Sequence, residues 1–538
     1  MDQRIDLSPS HLAAVDRPRR IIDQMDAATP RDLYGIDMDE WLRLRFHHAD
    51  LDGTQIDGFW WDISNSEEAY ALYETPSRPL LHDPPLQKWR DAGIDYVGTL
   101  LEETRRRDLE VFWSHRVGPV DPAQPWAEIP LDHPGRRNYL KQEHPDWVQK
   151  CWWWQGLYDL SSAGLRQHKV DVLREHLQRY SFDGIQLDFS RHQPCLPLGR
   201  QWQLRDEATT FVRMIREMMM EVGREQERPI LLAVKVPETV AGCAIDGLDV
   251  ARWARELLVD IFVIGSRTIT VDVADFRRIT AGTPIKVAAT HDAHHSTDGY
   301  CSPSLDVFLG VFSNFWAQGA DFVTVFNWPT APEEEYTRLG SVGDVIAGTY
   351  EQHTEAMYLV GGAASMRGRA KTFVAERRGG FPWTDDGCFY CCNDDRPLPR
   401  ELPNHGAGVE IPVFIWDADA VSSPGGELQI VLWAAASADK IEARLGGALL
   451  AEVARDPDWK DAQIYGDKPQ LPAGNVPNYV VDPEQQLLML RFRLPPGVVV
   501  VGENTVRLRL LERSAYRPRM RGTAIVVEKT EVQLAPHA

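Results

Sequence analysis

Four stretches decide the fold: DGIQLDFSRH (183–192), LLAVKVPE (231–238), IKVAATHDAHH (285–295) and DFVTVFNWP (321–329). Each is a β-branched, apolar run that stops in acidic, basic or aromatic residues, and helical spacing separates it from the next. Parallel strands buried on both faces read as near-continuous apolar runs, and a (β/α)8 barrel gathers its chemistry at their carboxyl ends.

Working outward, four more strands precede or interleave with these: RRIIDQMDA (19–27), QIDGFWWDI (55–63), LEVFWSHRVG (109–118) and DIFVIGS (260–266). Helices are expected from Met38 to Ala49, within 84–107, and over 166–180, 204–224, 249–257, 272–280 and 304–318. The stretch 166–180 places Val170, Leu173, Leu177 and Tyr180 on one stripe, as a helix packed on a sheet requires. Asp183-Gly184 reads as a turn at the entry of the fourth strand, which makes Asp183 structural. Residues 119–163 form a long insertion rich in Pro, His, Asp and Trp, and a loop of that length on the active face predicts a wall or lid. Together these units make a (β/α)8 TIM barrel over residues 1–365.

After residues 335–360, which read as helical, Gly361-Gly362 marks a break. From about 370 the pattern becomes short alternating strands: KTFVAER, GVEIPVFIW, ELQIVLWAA, LLMLRFRL, NTVRLRLL and GTAIVVEKTEVQL. That pattern predicts a C-terminal antiparallel β-sandwich over 366–538. LPPGVVVVGENTVRLRL (494–510) reads as two strands around a Gly-Glu-Asn turn.

The formal net charge of −21, from 58 basic and 79 acidic residues, argues against nucleic acid and anionic membrane as partners. No apolar run approaches the ~20 residues of a membrane span, and the first residues show no secretory apolar region. Seven cysteines, with CFYCC (388–392) the only cluster, fit free thiols in a reducing compartment, so a cytoplasmic location is expected. The sequence leaves room for a homo-oligomer and calls for no cofactor.

Two carboxylates, Asp188 and Glu238, finish neighbouring strands, and Asp292 finishes another. Period-two alternation sets Gln186 and Asp188 on one side of their strand, opposite Ile185 and Leu187. Carboxylates on one rim beside 18 tryptophans point to glycosidic chemistry, since aromatic faces cover the apolar faces of sugar rings. In this reading Asp188 is the nucleophile and Glu238 the acid/base of a retaining glycoside hydrolase, with Asp292 third. Asp62, His115, Arg116, Gln186, Arg191, His192, Lys235, His291 and Asn327 would line the substrate site, and Trp61, Trp113, Trp153 and Trp328 would stack on sugars. The alternation sets Lys235 opposite in sense to Glu238, so Lys235 is the lumen group if Glu238 belongs to the loop. HDAHH (291–295) also allows a metal-dependent hydrolase or isomerase, with His192 or His115 across the rim. A barrel that binds carbohydrate without turnover is a third reading.

The phrases LEVFWSHR (109–116), YSFDGIQLDFSRH (180–192), AVKVPE (233–238) and GLDVARWARELLVD (247–260) resemble the glycosyl-hydrolase-like (family 10-like) bacterial barrel proteins. The resemblance implies a sugar-active barrel. The rim layout is also similar to that of the α-amylase clan: Asp188 followed by Arg191-His192, then Glu238, then His291-Asp292. Gln186 stands where that clan has an arginine, and no Asp-x-x-x-x-His ends the third strand.

Overall fold

The computed structural model describes residues 4–26, 37–63, 66–81, 83–121, 138–265, 268–292, 300, 303–326, 328, 333, 349–377, 397–404, 406–461, 464, 484–514 and 524–537. Eight parallel strands close into a barrel: β1 (Ile21–Asp26), β2 (Ile56–Asp62), β3 (Glu110–Arg116), β4 (Gly184–Asp188), β5 (Leu231–Val236), β6 (Ile261–Ile264), β7 (Lys286–Asp292) and β8 (Phe322–Phe326). Each pairs with its sequence neighbours, and β8 closes on β1. Helices follow the strands as the apolar stripes require, the longest being Ala163–Arg179 after β3 and Arg205–Glu225 after β4. The stretch 84–107 is two helices, Pro84–Asp91 and Tyr96–Arg106, each started by an aspartate side chain (Asp83, Asp95) that accepts a backbone N–H. The helix predicted over 38–49 ends sooner, at Arg45. Helix Val250–Glu256 has a short predecessor, Val240–Ile245.

Alternation along each strand divides the barrel into two layers. Outward residues join the large cluster shared with the helices. Inward residues Ile22, Trp60, Phe112, Leu231, Ala233, Ile261, Val263, Ala288 and Phe322 fill the lower lumen, with Trp60 stacked on Phe112 at 4.5 Å. Below them Arg19 and Glu110 form a buried pair at 2.7 Å. The base is tied again at Asp260, which takes Arg216 at 2.6 Å and His11 at 2.9 Å.

Gly184 is the first residue of β4 rather than part of a turn. A Cβ there would stand 2.5 Å from the Phe112 ring and from the Leu231 carbonyl, so glycine is what lets Phe112 lie across the lumen. Asp183 is structural, its Oδ2 accepting the Val111 N–H at 3.0 Å and so fixing the β3–β4 register.

Beyond the barrel, helix Tyr350–Leu359 begins with a capping box at Thr349 and Gln352 and ends before Gly361-Gly362. The preceding part of the predicted 335–360 helix, apart from Thr349, lies outside the described residues. Two antiparallel sheets follow. One orders Lys371–Val374, Ile525–Leu534, Gly426–Trp433, Leu487–Leu494 and Ala451–Trp459, with Arg400–Leu402 also on Ile525–Leu534. The other orders Val409–Ile415, Gly502–Glu512, Lys440–Leu445 and Ala448–Leu449. Both contribute alternate residues, among them Ile430, Leu490, Val413 and Val506, to one buried apolar cluster. The Gly-Glu-Asn turn is not formed: Gly502 opens a continuous strand to Glu512, and the chain turns earlier, at Pro496-Gly497. Glu503 and Asn504 pair in register with Phe414 and Val413, and those ladder bonds outweigh the local turn preference. The sheets lean on the barrel through Asn314, which bonds the Phe414 carbonyl, and through Glu376, which accepts the Ile269 N–H at 3.0 Å. Among the described residues no helix is long and apolar enough to cross a membrane.

Candidate active site

The parity that packs the lower lumen carries upward to polar residues. On β4, Gly184, Gln186 and Asp188 face in; on β5, Ala233 is followed by Lys235; on β7, Ala288 by Thr290 and Asp292. The register sets Asp188 beside Lys235 on one side and Arg116 on the other. Asp188 is 1% exposed, and its Oδ1 accepts the backbone N–H of Ser190 (2.9 Å) and Arg191 (3.0 Å). Its Oδ2 lies 4.0 Å from Lys235 Nζ. Lys235 donates to Gln24 Oε1 at 3.3 Å, Gln24 Nε2 to Ser114 Oγ at 3.0 Å, and Ser114 Oγ to Gln186 Oε1 at 2.8 Å. Asp62 and Arg116 pair at 2.6 Å one strand further round. Burial drives the Lys235 pKa down; Asp188, Asp292 and Asp62 oppose this, and Arg191 adds to it.

The structure therefore brings together Asp62, Arg116, Gln186, Asp188, Lys235 and Asp292. Arg191 stands beside them, 5.8 Å over the Phe326 ring. His192, with φ of 60°, lies 6.2 Å from the Trp152 ring.

Other expected site residues fall elsewhere, for the same reason of parity. Trp61 faces outward, donates to Thr104 Oγ1 at 3.0 Å and packs on Phe46 and Phe59. Trp113 also faces out, bonded to Glu67 at 2.9 Å and stacked on His176 at 4.0 Å. His115 is not a sugar ligand: it sits behind β3, 2.8 Å from Glu67 and 3.2 Å from Glu68, with Lys169 bonded to Glu68. Burial works against its charged form, but the two glutamates prevail and raise its pKa to about 8. His291 turns to Phe308 and Phe312 in the helical layer, where burial lowers its pKa to about 4. Its neighbour Asp292 faces the lumen, so the two cannot ligate one ion there; His294 and His295 lie outside the described residues, as do Asn327 and Cys388, Cys391 and Cys392. Among the described residues no group of three or more His, Cys, Asp or Glu is placed to hold a metal. Trp328 is buried against Phe308 at 4.6 Å.

Glu238 stands past the end of β5, half-buried. Its carbonyl accepts the Asp272 N–H at 3.0 Å, and its carboxylate acts with burial and Asp246 to push up the Cys243 thiol pKa. Lys235 is the group β5 itself presents to Asp188.

The described part of the insertion is built rather than loose. Asp121 is its hub, accepting from Asn138 (2.9 Å), Lys141 (3.0 Å) and Trp153 Nε1 (2.6 Å), so Trp153 is a structural strut and not a stacking platform. A ribbon, Val148–Gln149 with Leu157–Tyr158, leans on the loop after Asp188: Trp152 Nε1 donates to the Gln193 carbonyl (2.6 Å) and Gln149 to that of Pro194 (2.9 Å). Residues 122–137 lie outside the described residues.

Gln24, Ser114, Thr290 and Thr324 are lumen residues that the sequence reading passed over. The available signal was parity with Trp60, Phe112 and Phe322, once those are known to face in. Asp23 faces out and is buried, and burial lifts its pKa to about 8 against the pull of Arg45.

The family comparison agrees with the resemblance carried by LEVFWSHR and YSFDGIQLDFSRH, which lie within the matched residues. Residues 35–195 match the family model described as Glycosyl hydrolase-like 10. Similar solved structures include an α-amylase from Geobacillus thermoleovorans complexed with acarbose (10% identity, TM-score 0.37, 92% of this chain and 100% of that one). A GH27 β-L-arabinopyranosidase from Geobacillus stearothermophilus gives 12% identity and TM-score 0.39, covering 95% of this chain and 100% of that one. A maltogenic α-amylase from Thermotoga neapolitana gives 10% and 0.36, covering 92% and 99%. No curated protein matches the chain.

Proposed function

We propose that this protein is a glycoside hydrolase that cleaves an O-glycosidic bond above the carboxyl end of its barrel. The observation that carries the reading is Asp188: a buried carboxylate with one oxygen tied to two backbone amides and the other turned to the lumen beside Lys235. A buried charge so arranged is costly unless it is used or paired. The family match over residues 35–195 supports the same class of chemistry.

In this reading Asp188 Oδ2 attacks the anomeric carbon while Glu238, from the loop after β5, protonates the departing oxygen. Water, giving a proton to the now ionised Glu238, then attacks the same carbon and breaks its bond to Asp188 Oδ2, which releases the sugar with net retention. Retention calls for the two carboxyl groups ~5–5.5 Å apart, with Glu238 brought to Asp188 by the loop after β5. Asp292 and the Asp62–Arg116 pair hold sugar hydroxyls, and Trp152 and the exposed Trp154 offer aromatic faces near the mouth. We also read the chain as two units, residues 1–365 and 366–538, the second a β-sandwich whose two sheets enclose their shared cluster.

A screen of nitrophenyl glycosides and oligosaccharides, with NMR of the first-formed anomer, tests the assignment. Asp188→Asn and Glu238→Gln are expected to lose turnover and keep binding. Full activity in Asp188→Asn refutes the assignment, and an inverted first product refutes retention.

A further inference from the structure

Lys235 is 1% exposed, and the groups around its ammonium are specific. Asp188 Oδ1 is occupied by two backbone N–H donors, so Oδ2 is the oxygen available toward the lumen, and it is the one nearest Lys235. At 4.0 Å the two are beyond a direct hydrogen bond yet within strong electrostatic reach. The ammonium is itself held: it donates to Gln24, which is fixed by Ser114, which is fixed by Gln186, so four strands (β5, β1, β3 and β4) contribute one chain. It also lies 4.3 Å from the Phe326 ring, a cation–π contact from β8. The other charged groups facing it are Asp62 from β2, Asp292 from β7 and Arg191 from the loop after β4.

We propose that Lys235 is a positioning residue: its ammonium, held by the Gln24–Ser114–Gln186 chain, aims Asp188 Oδ2 along the lumen toward the reacting carbon. This role rests on the glycosidase reading with Asp188 as the attacking group. A tether of this kind acts on the geometry of attack rather than on substrate affinity, and a misplacement of about 1 Å can cost about 100-fold in rate. Because burial and Arg191 favour the uncharged amine, the tether is lost on the alkaline side at lower pH than an exposed lysine would allow.

The test uses the full chain and the nitrophenyl glycoside turned over fastest in the screen, with melting curves to confirm folding. Lys235→Met is expected to lower kcat by about 100-fold with KM changed less than about threefold. Lys235→Arg, which keeps the positive charge, is expected to keep part of the activity that Lys235→Met loses. Gln24→Leu, which frees the ammonium from its chain, is expected to lower kcat with KM little changed. A folded Lys235→Met enzyme at wild-type kcat overturns the role, as does a Lys235→Arg enzyme no more active than Lys235→Met. If Lys235→Met does not fold, wild-type kcat in Gln24→Leu overturns it. Asp188→Asn separates the two levels: an active Asp188→Asn enzyme removes Asp188 as the attacking group and the role with it. An inactive one, with wild-type lysine variants, removes only the role.

Discussion

The ion cluster behind β3 makes a pH-dependent contribution to stability whose sign is determined by His115. Its folded pKa is raised from 6.5 to about 8 by Glu67 and Glu68, against the opposing effect of burial. The folded chain therefore holds this proton more tightly than the unfolded one. The stabilisation is fully present below about pH 6.5 and is lost as pH rises through about 8. The gap corresponds to about 2 kcal/mol. Asp23, raised to about 8 by burial, also loses stability with rising pH, so the wild-type slope alone does not isolate His115. His115→Gln removes the imidazole titration and leaves that of Asp23. Urea unfolding of both proteins at pH 6 and pH 9.5 provides the comparison. The wild type is expected to lose about 2 kcal/mol more than the variant between these pH values. Equal losses refute the argument, because they would mean that His115 carries no extra proton affinity in the fold.

The floor of the lumen gives a second expectation: Arg19→Met strands Glu110 without its partner and costs about 3–5 kcal/mol in urea unfolding, most of it recovered by Arg19→Met with Glu110→Leu. Gly184→Ala drives a Cβ to 2.5 Å from the Phe112 ring and the Leu231 carbonyl. It is expected to cost at least about 1–3 kcal/mol by the same measurement. Trimming Phe112 to leucine restores only part of that, because the carbonyl contact remains.

Local patterning determined a great deal. Apolar β-branched runs separated by helical stripes give eight strands in order, since each must be buried on both faces, and alternation gives the β-rich tail. The same logic marked Asp188 as a lumen residue, because Ile185 and Leu187 had to pack outward. What patterning could not supply is which parity of a strand with apolar residues on both sides turns inward. FWSHR and KVAATHD read equally well either way, and only closure of the barrel, with Phe112 and Ala288 in the lower lumen, sends His115 and His291 outward and brings Ser114, Arg116 and Asp292 in. Lys235 was legible as a lumen group of the strand beside that of Asp188, but its own partners were not. Gln24 and Ser114 come from strands up to 211 residues away in the chain and join it only because the sheet is a closed ring.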